Sequence, residues 1–253
     1  MLKKKEGRTK DHTTQKIFSD KVIYAPEVEN NFYTSCLDSS PNDLLGVGLS
    51  DGCYLYNHKA CFEVESVCRS RNSLSCVKFN KTGAFLFTGY SNGYVGIHDV
   101  GKLKNFRLFK NQSSRIGCIQ DIENQTFLCG SKDHSIVLND LRMKYPKVLI
   151  VLAHSCEVCS ISQSSSTIAS SDASGVINIW DIRNEKCFST HRLFKQSAIK
   201  ALEWCPWKNG ILAAGGGSQD SRLILWNNHE REVSQKIKTG SQVTRLIWSK
   251  YSQ

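Results

Sequence analysis

The chain has 253 residues, 40% of them hydrophobic and 22% charged, with a formal net charge of +10. That composition suits an ordinary soluble globular fold with ample material for a core. It excludes a membrane span: the longest apolar run, residues 148–153, is far shorter than the roughly twenty residues a membrane helix needs.

Residues 1–20 are polar, basic and without periodicity, and read as a disordered N-terminal tail. Residues 1–21 carry seven Lys/Arg and three Asp/Glu, with no apolar stretch behind them that would make a signal peptide. A basic tail can touch nucleic acid or anionic lipid, but here no aromatic side chain is interleaved among the lysines to stack on bases. Neither nucleic acid nor membrane is expected as a partner. The eleven cysteines are odd in number and scattered, which points to reduced thiols in an intracellular protein.

From residue 21 the chain repeats. "LLGVGLSDGCYLYN", "FLFTGYSNGYVGIHD", "FLCGSKDHSIVLND", "IASSDASGVINIWD" and "LAAGGGSQDSRLILWN" share one pattern: an apolar run, a small polar turn and an alternating run. The last run ends at Asn57, Asp99, Asp140, Asp181 and Asn227, with gaps of 42, 41, 41 and 46. A further short β-type run leads into each copy: "FYTSCLD", "LSCVKFN", "IGCIQD", "EVCSIS" and "IKALEWCP". "QVTRLIWS", from Gln242, starts a sixth copy. A period near 41 built from alternating runs is the signature of a β-propeller, not of a helical solenoid. The pair Trp180-Asp181, and Trp226 before Asn227, mark it as a WD-repeat propeller. Such blades link a Trp, a Ser, a His and a turn Asp by hydrogen bonds. The expected structural blade residues are Asp133, His154, Trp180, Asp181, Asp220 and Trp226. His98 and Asn139 replace the Trp in blades two and three, so those blades rely more on apolar packing.

Three chemical motifs fail on inspection. The glycines of "ILAAGGGSQDSRLILWN" could cradle phosphate only with a helix behind them, and a strand pattern follows instead. His154, Cys156 and Cys159 have half of a zinc spacing, but residues three apart on a strand point to opposite faces. No nucleophile elbow or carboxylate pair occurs, so no catalytic, cofactor or metal site is expected.

Beyond the repeat, several stretches resemble the Fizzy and Fizzy-related family, over about residues 21–250. They are "KVIYAPEVENNFYTSCLDSSPNDLLGVGLSDGCYLYN", "SSRIGCI", "AHSCEVCSI", "AIKALEWCPWKNGILAAGGGSQDSRLILWN" and "TGSQVTRLIWSK". The corner Cys205-Pro206-Trp207, followed by Gly215, Gly216, Gly217 and Asp220, is more specific than a generic blade. The resemblance implies a seven-bladed propeller that recruits substrates to the anaphase-promoting complex, a ubiquitin ligase, in cell-cycle-regulated proteolysis. It implies ligase subunits and degron-bearing proteins as partners, no small-molecule substrate, and residence in nucleus and cytoplasm. It also implies a degron-binding set of Ile23, Tyr24, Ala173, Gly175 and Ser218.

The departures set further expectations. No docking box of the form Asp-Arg-Tyr/Phe-Ile-Pro precedes Lys21, and the chain ends in Ser252-Gln253 rather than Ile-Arg. Residues 21–253 then hold five full blades and the start of a sixth, a propeller incomplete at the C-terminus. Tyr24 stands where the family has an Asp that holds the destruction-box Arg. Ala173 and Gly175 stand where it has Asn side chains that help read a Lys-Glu-Asn motif, while Ser218 keeps a hydroxyl where Thr is usual. The competing expectation is a divergent WD-repeat scaffold without ligase docking.

Overall fold

The computed structural model describes residues 25, 28–57, 64–69, 72–123, 125–152, 154–181, 183 and 186–249. They form five four-stranded antiparallel sheets, one for each repeat. Blade one comprises β1 (Leu37–Ser39), β2 (Leu44–Leu49), β3 (Gly52–Asn57) and β4 (Val64–Arg69). Blade two runs β5 (Leu74–Phe79), β6 (Phe85–Tyr90), β7 (Tyr94–Asp99) and β8 (Lys104–Lys110). Blade three is β9 (Ile116–Asp121), β10 (Thr126–Ser131), β11 (Ser135–Asp140) and β12 (Lys147–Leu152). Blade four is β13 (Val158–Ser164), β14 (Thr167–Asp172), β15 (Val176–Asp181) and β16 (Lys186–Arg192). Blade five is β17 (Ile199–Trp204), β18 (Ile211–Gly216), β19 (Arg222–Asn227) and β20 (Glu232–Lys238). The expected run ends, Asn57, Asp99, Asp140, Asp181 and Asn227, are the last residues of the third strands.

Burial explains why the inner three strands are legible in the sequence and the fourth is not. Every residue of β18 is buried: blade four packs against it, and Val243, at the start of the sixth copy, packs on Gly215. The outer strands β8 and β20 are largely exposed, so little forces their side chains to alternate. Apolar layers lie between successive blades. Phe87 stacks on Phe127 between blades two and three, with ring centroids 4.7 Å apart. Trp204, Leu212 and Trp226 pack with Ile177 and Ile179 between blades four and five.

The repeat extends to backbone irregularities. In four blades the ladder between third and fourth strands shifts register just after the same residue, Ile97, Leu138, Ile179 or Leu225; in blade one it shifts two residues earlier, after Cys53. The turn between second and third strands places one residue at positive φ in four blades. These are Gly93 (φ 82), His134 (φ 71), Gly175 (φ 88) and Ser221 (φ 48). At Gly93 a Cβ would collide with the Gln112 carbonyl oxygen, so glycine is required there. The start of the sixth copy sits where the next inner strand belongs. Val243 N donates to Gly216 O at 3.0 Å and packs on Gly215, as Val158 packs on Gly130 two repeats earlier.

Candidate functional site

Ser35, the first strands β5, β9, β13 and β17, and residues 244–246 line a central cavity of about 100 Å3. At one mouth lie the turns between second and third strands and the loops that enter the first strands. Bonds between them fix this shared position: Ala173 N to Glu157 O (3.0 Å), Gly217 N to Ala198 O (2.9 Å) and Ser113 N to Asp133 Oδ2 (2.7 Å).

A short strap, residues 31–36, lies along this mouth. Asn31 turns it, its side-chain oxygen accepting from Tyr33 N (3.0 Å) and its carbonyl from Thr34 Oγ1 (2.9 Å). Ser35 bridges to blade two, through Ser35 N to Ser75 O and Val77 N to Ser35 O, both 2.8 Å. Lys200 of blade five donates to Thr34 O and sits over the Phe32 ring, 5.6 Å from its centroid. Arg115 of blade three lies over Tyr33 and forms a bidentate pair with Glu157 of blade four (2.7 and 2.9 Å). Burial depresses the Lys200 pKa, and burial, with lesser pushes from Cys159 and Glu157, raises that of Tyr33. Among the described residues, the mouth therefore offers one half-buried ammonium without a carboxylate partner, an aromatic pair, and a neutralised Arg–Glu bridge. That suits a peptide better than a reacting small molecule.

Of the degron-binding set, Ala173 and Gly175 lie at this mouth beside Glu157. Gly175 is pinned by its positive φ and by the nearby Phe194 and Ser197 carbonyl oxygens. Ser218 is exposed, in the corresponding turn of blade five. Ile23 and Tyr24 lie outside the described residues, as does the 1–20 tail.

Blade four carries a closed hydrogen-bonded chain. Trp180 Nε1 donates to Ser170 Oγ (2.8 Å), Ser170 Oγ meets His154 Nε2 (2.8 Å), and His154 Nδ1 meets Asp172 Oδ2 (3.1 Å). The aspartate is Asp172, eight residues before the tryptophan. Asp133 and Asp220 stand six residues before Asn139 and Trp226, and the residue at that spacing in blade four is Ser174, which itself bonds Asp172 Oδ1. Asp172 had no sequence signal of its own beyond lying at a strand end. Hydrogen bonds from His154 and Ser174 hold its pKa low against the opposing effect of burial. Asp133 caps the loop entering blade three, accepting from Ser113 and Ser135, and its pKa is lowered to about 2 by these bonds despite burial. Asp220 pairs with Arg222, and Asp181 with Arg183. Among the described residues Trp226 has no partner for its indole N–H, and its ring packs on His191 at 4.4 Å. In blade two the buried His98 meets Thr88 Oγ1 at 2.9 Å, so a polar contact replaces part of the missing chain.

Both His154 ring nitrogens are thus engaged within the protein. Among the described residues no group of three His, Cys, Asp or Glu could hold a metal. The ten described cysteines are all free thiols. No helix among the described residues is long and apolar enough to cross a membrane.

Five repeated four-stranded blades and a Trp–Ser–His–Asp chain define a WD-repeat β-propeller. The WD40 family, "WD domain, G-beta repeat", matches residues 63–99 and 146–181. The chain is 32% identical over 232 residues to the "APC/C activator protein CDH1" of Saccharomyces cerevisiae, covering 91% of this chain and 40% of that protein. It is 31% identical over 240 residues to the "WD repeat-containing protein slp1" of Schizosaccharomyces pombe, covering 92% and 48%. A chain in the crystal structure of the mitotic checkpoint complex superposes with a TM-score of 0.90 at 29% identity, covering 99% of this chain and 77% of that one. The chain spans about half the length of the curated relatives it matches. The likeness to these proteins agrees with the family resemblance that its repeat and its Cys205-Pro206-Trp207 corner carry.

Proposed function

We propose that this propeller is a substrate-recruiting adaptor of the anaphase-promoting complex. It has no chemistry of its own and acts by bridging, in nucleus and cytoplasm. One face holds degradation motifs, and segments outside the blades dock on the ligase. The observation that carries this reading is the superposition of 99% of the chain on a chain of the mitotic checkpoint complex. The Ser170–His154–Asp172 contacts do not argue for hydrolysis. Ser170 and the His154 side chain are fully buried, and the Ser170 hydroxyl is already tied to Trp180.

A specific observation favours a second reading, a WD-repeat scaffold without this role. Ala173 and Gly175 offer no side-chain hydrogen bond where the family reads its Lys-Glu-Asn motif, and the φ of Gly175 resists any replacement there. The deciding experiment measures capture of the purified ligase by the immobilised chain, with competition by destruction-box peptide. Saturable capture supports the adaptor. Absence of capture, with the chain folded by circular dichroism, supports the scaffold.

A further inference from the structure

The longest apolar run of the sequence lies on an exposed sheet edge. Residues 148–152 belong to β12, the outermost strand of blade three. β11 pairs with one side of β12, and among the described residues no strand pairs with the other. Such an edge presents unpaired N–H and C=O groups, and proteins ordinarily blunt it with charged side chains. The other outer strands interrupt their apolar content with charged groups or hydroxyls: Glu65 in β4, Arg107 in β8, Ser189 and Thr190 in β16, Lys236 in β20. After Lys147, β12 reads Val-Leu-Ile-Val-Leu, and Val148 is 54% exposed.

A narrow groove of about 50 Å3 runs beside this strand. Leu138, Leu149 and Val151 of blade three line it, with Ile168 and Trp180 of blade four. Its one charged lining residue, Asp181, is paired with Arg183. An apolar groove holds water poorly, and an apolar side chain entering it gains close contacts. Leu149 stands opposite Leu138, and Val151 opposite Ile136, so both lie on the groove face of the sheet. A strand laid along the free edge would put alternate side chains on that same face. The flank of β12 sets the sign of the partner. Residues 141–156 include Arg142, Lys144 and Lys147 and no acidic residue. Arg142 is paired with Asp140, whereas Lys144 and Lys147 are exposed and have no carboxylate partner among the described residues. A second copy of this edge would bring the same cations and no carboxylate. We propose that β12 accepts an added strand from a partner protein. That segment is extended, carries apolar side chains at alternate positions that enter the groove against Leu149 and Trp180, and ends in an acidic side chain beside Lys144 and Lys147. The site lies on the outer edge of blade three, apart from the channel mouth, and does not rest on the adaptor reading.

Panning the 253-residue chain against phage-displayed random heptapeptides tests this. Enrichment is expected for peptides with apolar residues at alternate positions and Asp or Glu at one end. A synthetic enriched peptide should bind Leu149→Gln about tenfold more weakly than the parent. Lys144→Glu with Lys147→Glu should weaken it by up to about fivefold per lysine. The bound peptide should slow amide hydrogen exchange in β12 and leave β8 and β20 unchanged. If Leu149→Gln does not fold by circular dichroism, Val151→Thr keeps the shape and sets a hydroxyl in the groove instead. No enrichment, enriched peptides that bind the groove variant as tightly as the parent, or unchanged β12 exchange would overturn the proposal. So would a dimer of the parent in sedimentation velocity that the groove variant splits, because a second copy would then hold the edge.

Discussion

Replacing Ser170 by alanine removes the hub of the blade-four chain. The hydroxyl accepts from Trp180 Nε1 and meets His154 Nε2, each at 2.8 Å, and Ser170 is fully buried. A methyl group in its place could serve neither partner, and no water reaches a site closed on all sides. Each orphaned buried group costs about 1–3 kcal/mol. The two share one hub and are not additive, so a total of about 2–4 kcal/mol is expected. For a chain of this size about 1 kcal/mol moves the Tm by roughly 2–4 °C, which gives a fall of about 4–16 °C. Blade five contains the reciprocal case. Ala214 occupies the position equivalent to Ser170, and the Trp226 indole N–H has no partner among the described residues. Ala214→Ser should therefore raise the Tm, by the worth of one hydrogen bond, about 1 kcal/mol. Thermal melts followed by circular dichroism measure both. A Ser170→Ala variant within about 0.5 kcal/mol of the parent would refute the reasoning, because it would place the chain's energy elsewhere.

Burial pushes the His98 imidazole down to about 4, from an ordinary value near 6.5, and among the described residues only Thr88 Oγ1 is bonded to it. The neutral ring is favoured in the folded state, so its stability contribution is complete above pH 6.5 and drains away as pH falls toward 4. His98→Gln should flatten stability against pH across that window; an unchanged slope would contradict the assignment. All eleven cysteines should alkylate without reductant once the chain is denatured, and a mass deficit from paired thiols would refute this. In the native state exposed Cys187 should react first and Cys76 among the last, since burial raises the Cys76 thiol to about 12. Destruction-box peptides should bind more tightly to Tyr24→Asp than to the parent. One hydrogen bond to a charged group is worth about 1.5–3 kcal/mol, roughly ten- to a hundredfold. Fluorescence anisotropy that finds equal micromolar affinity for both would show that Tyr24 does not face the degron.

The blade count, three strands of every blade and the position of the tryptophan were legible in the sequence. Those strands are largely buried, so their composition is constrained from repeat to repeat: β18 is buried throughout. The central glycine run was likewise readable as strand and turn, because the alternating 222–227 segment behind it has no helical period. The fourth strands carry no such constraint. In β8 most side chains face solvent, and the strand is held by pairing to β7 with a few side-chain contacts, among them Arg107 to Met143 O and Phe106 on Phe85.

What the sequence by itself determined was the repeat, and with it the fold, because successive blades pack their apolar faces on one another in the same way. The tertiary structure alone decided which polar groups meet. Asp172, rather than a residue at position 174, completes the His154 chain, since the side chain that reaches an imidazole depends on where a turn points and not on its spacing from a tryptophan. It also decided that Arg115, Glu157, Tyr33 and Lys200, from the strap and three different blades, share one channel mouth. Those residues are up to 167 positions apart, and local periodicity carries no information about contacts made by closing blades around an axis.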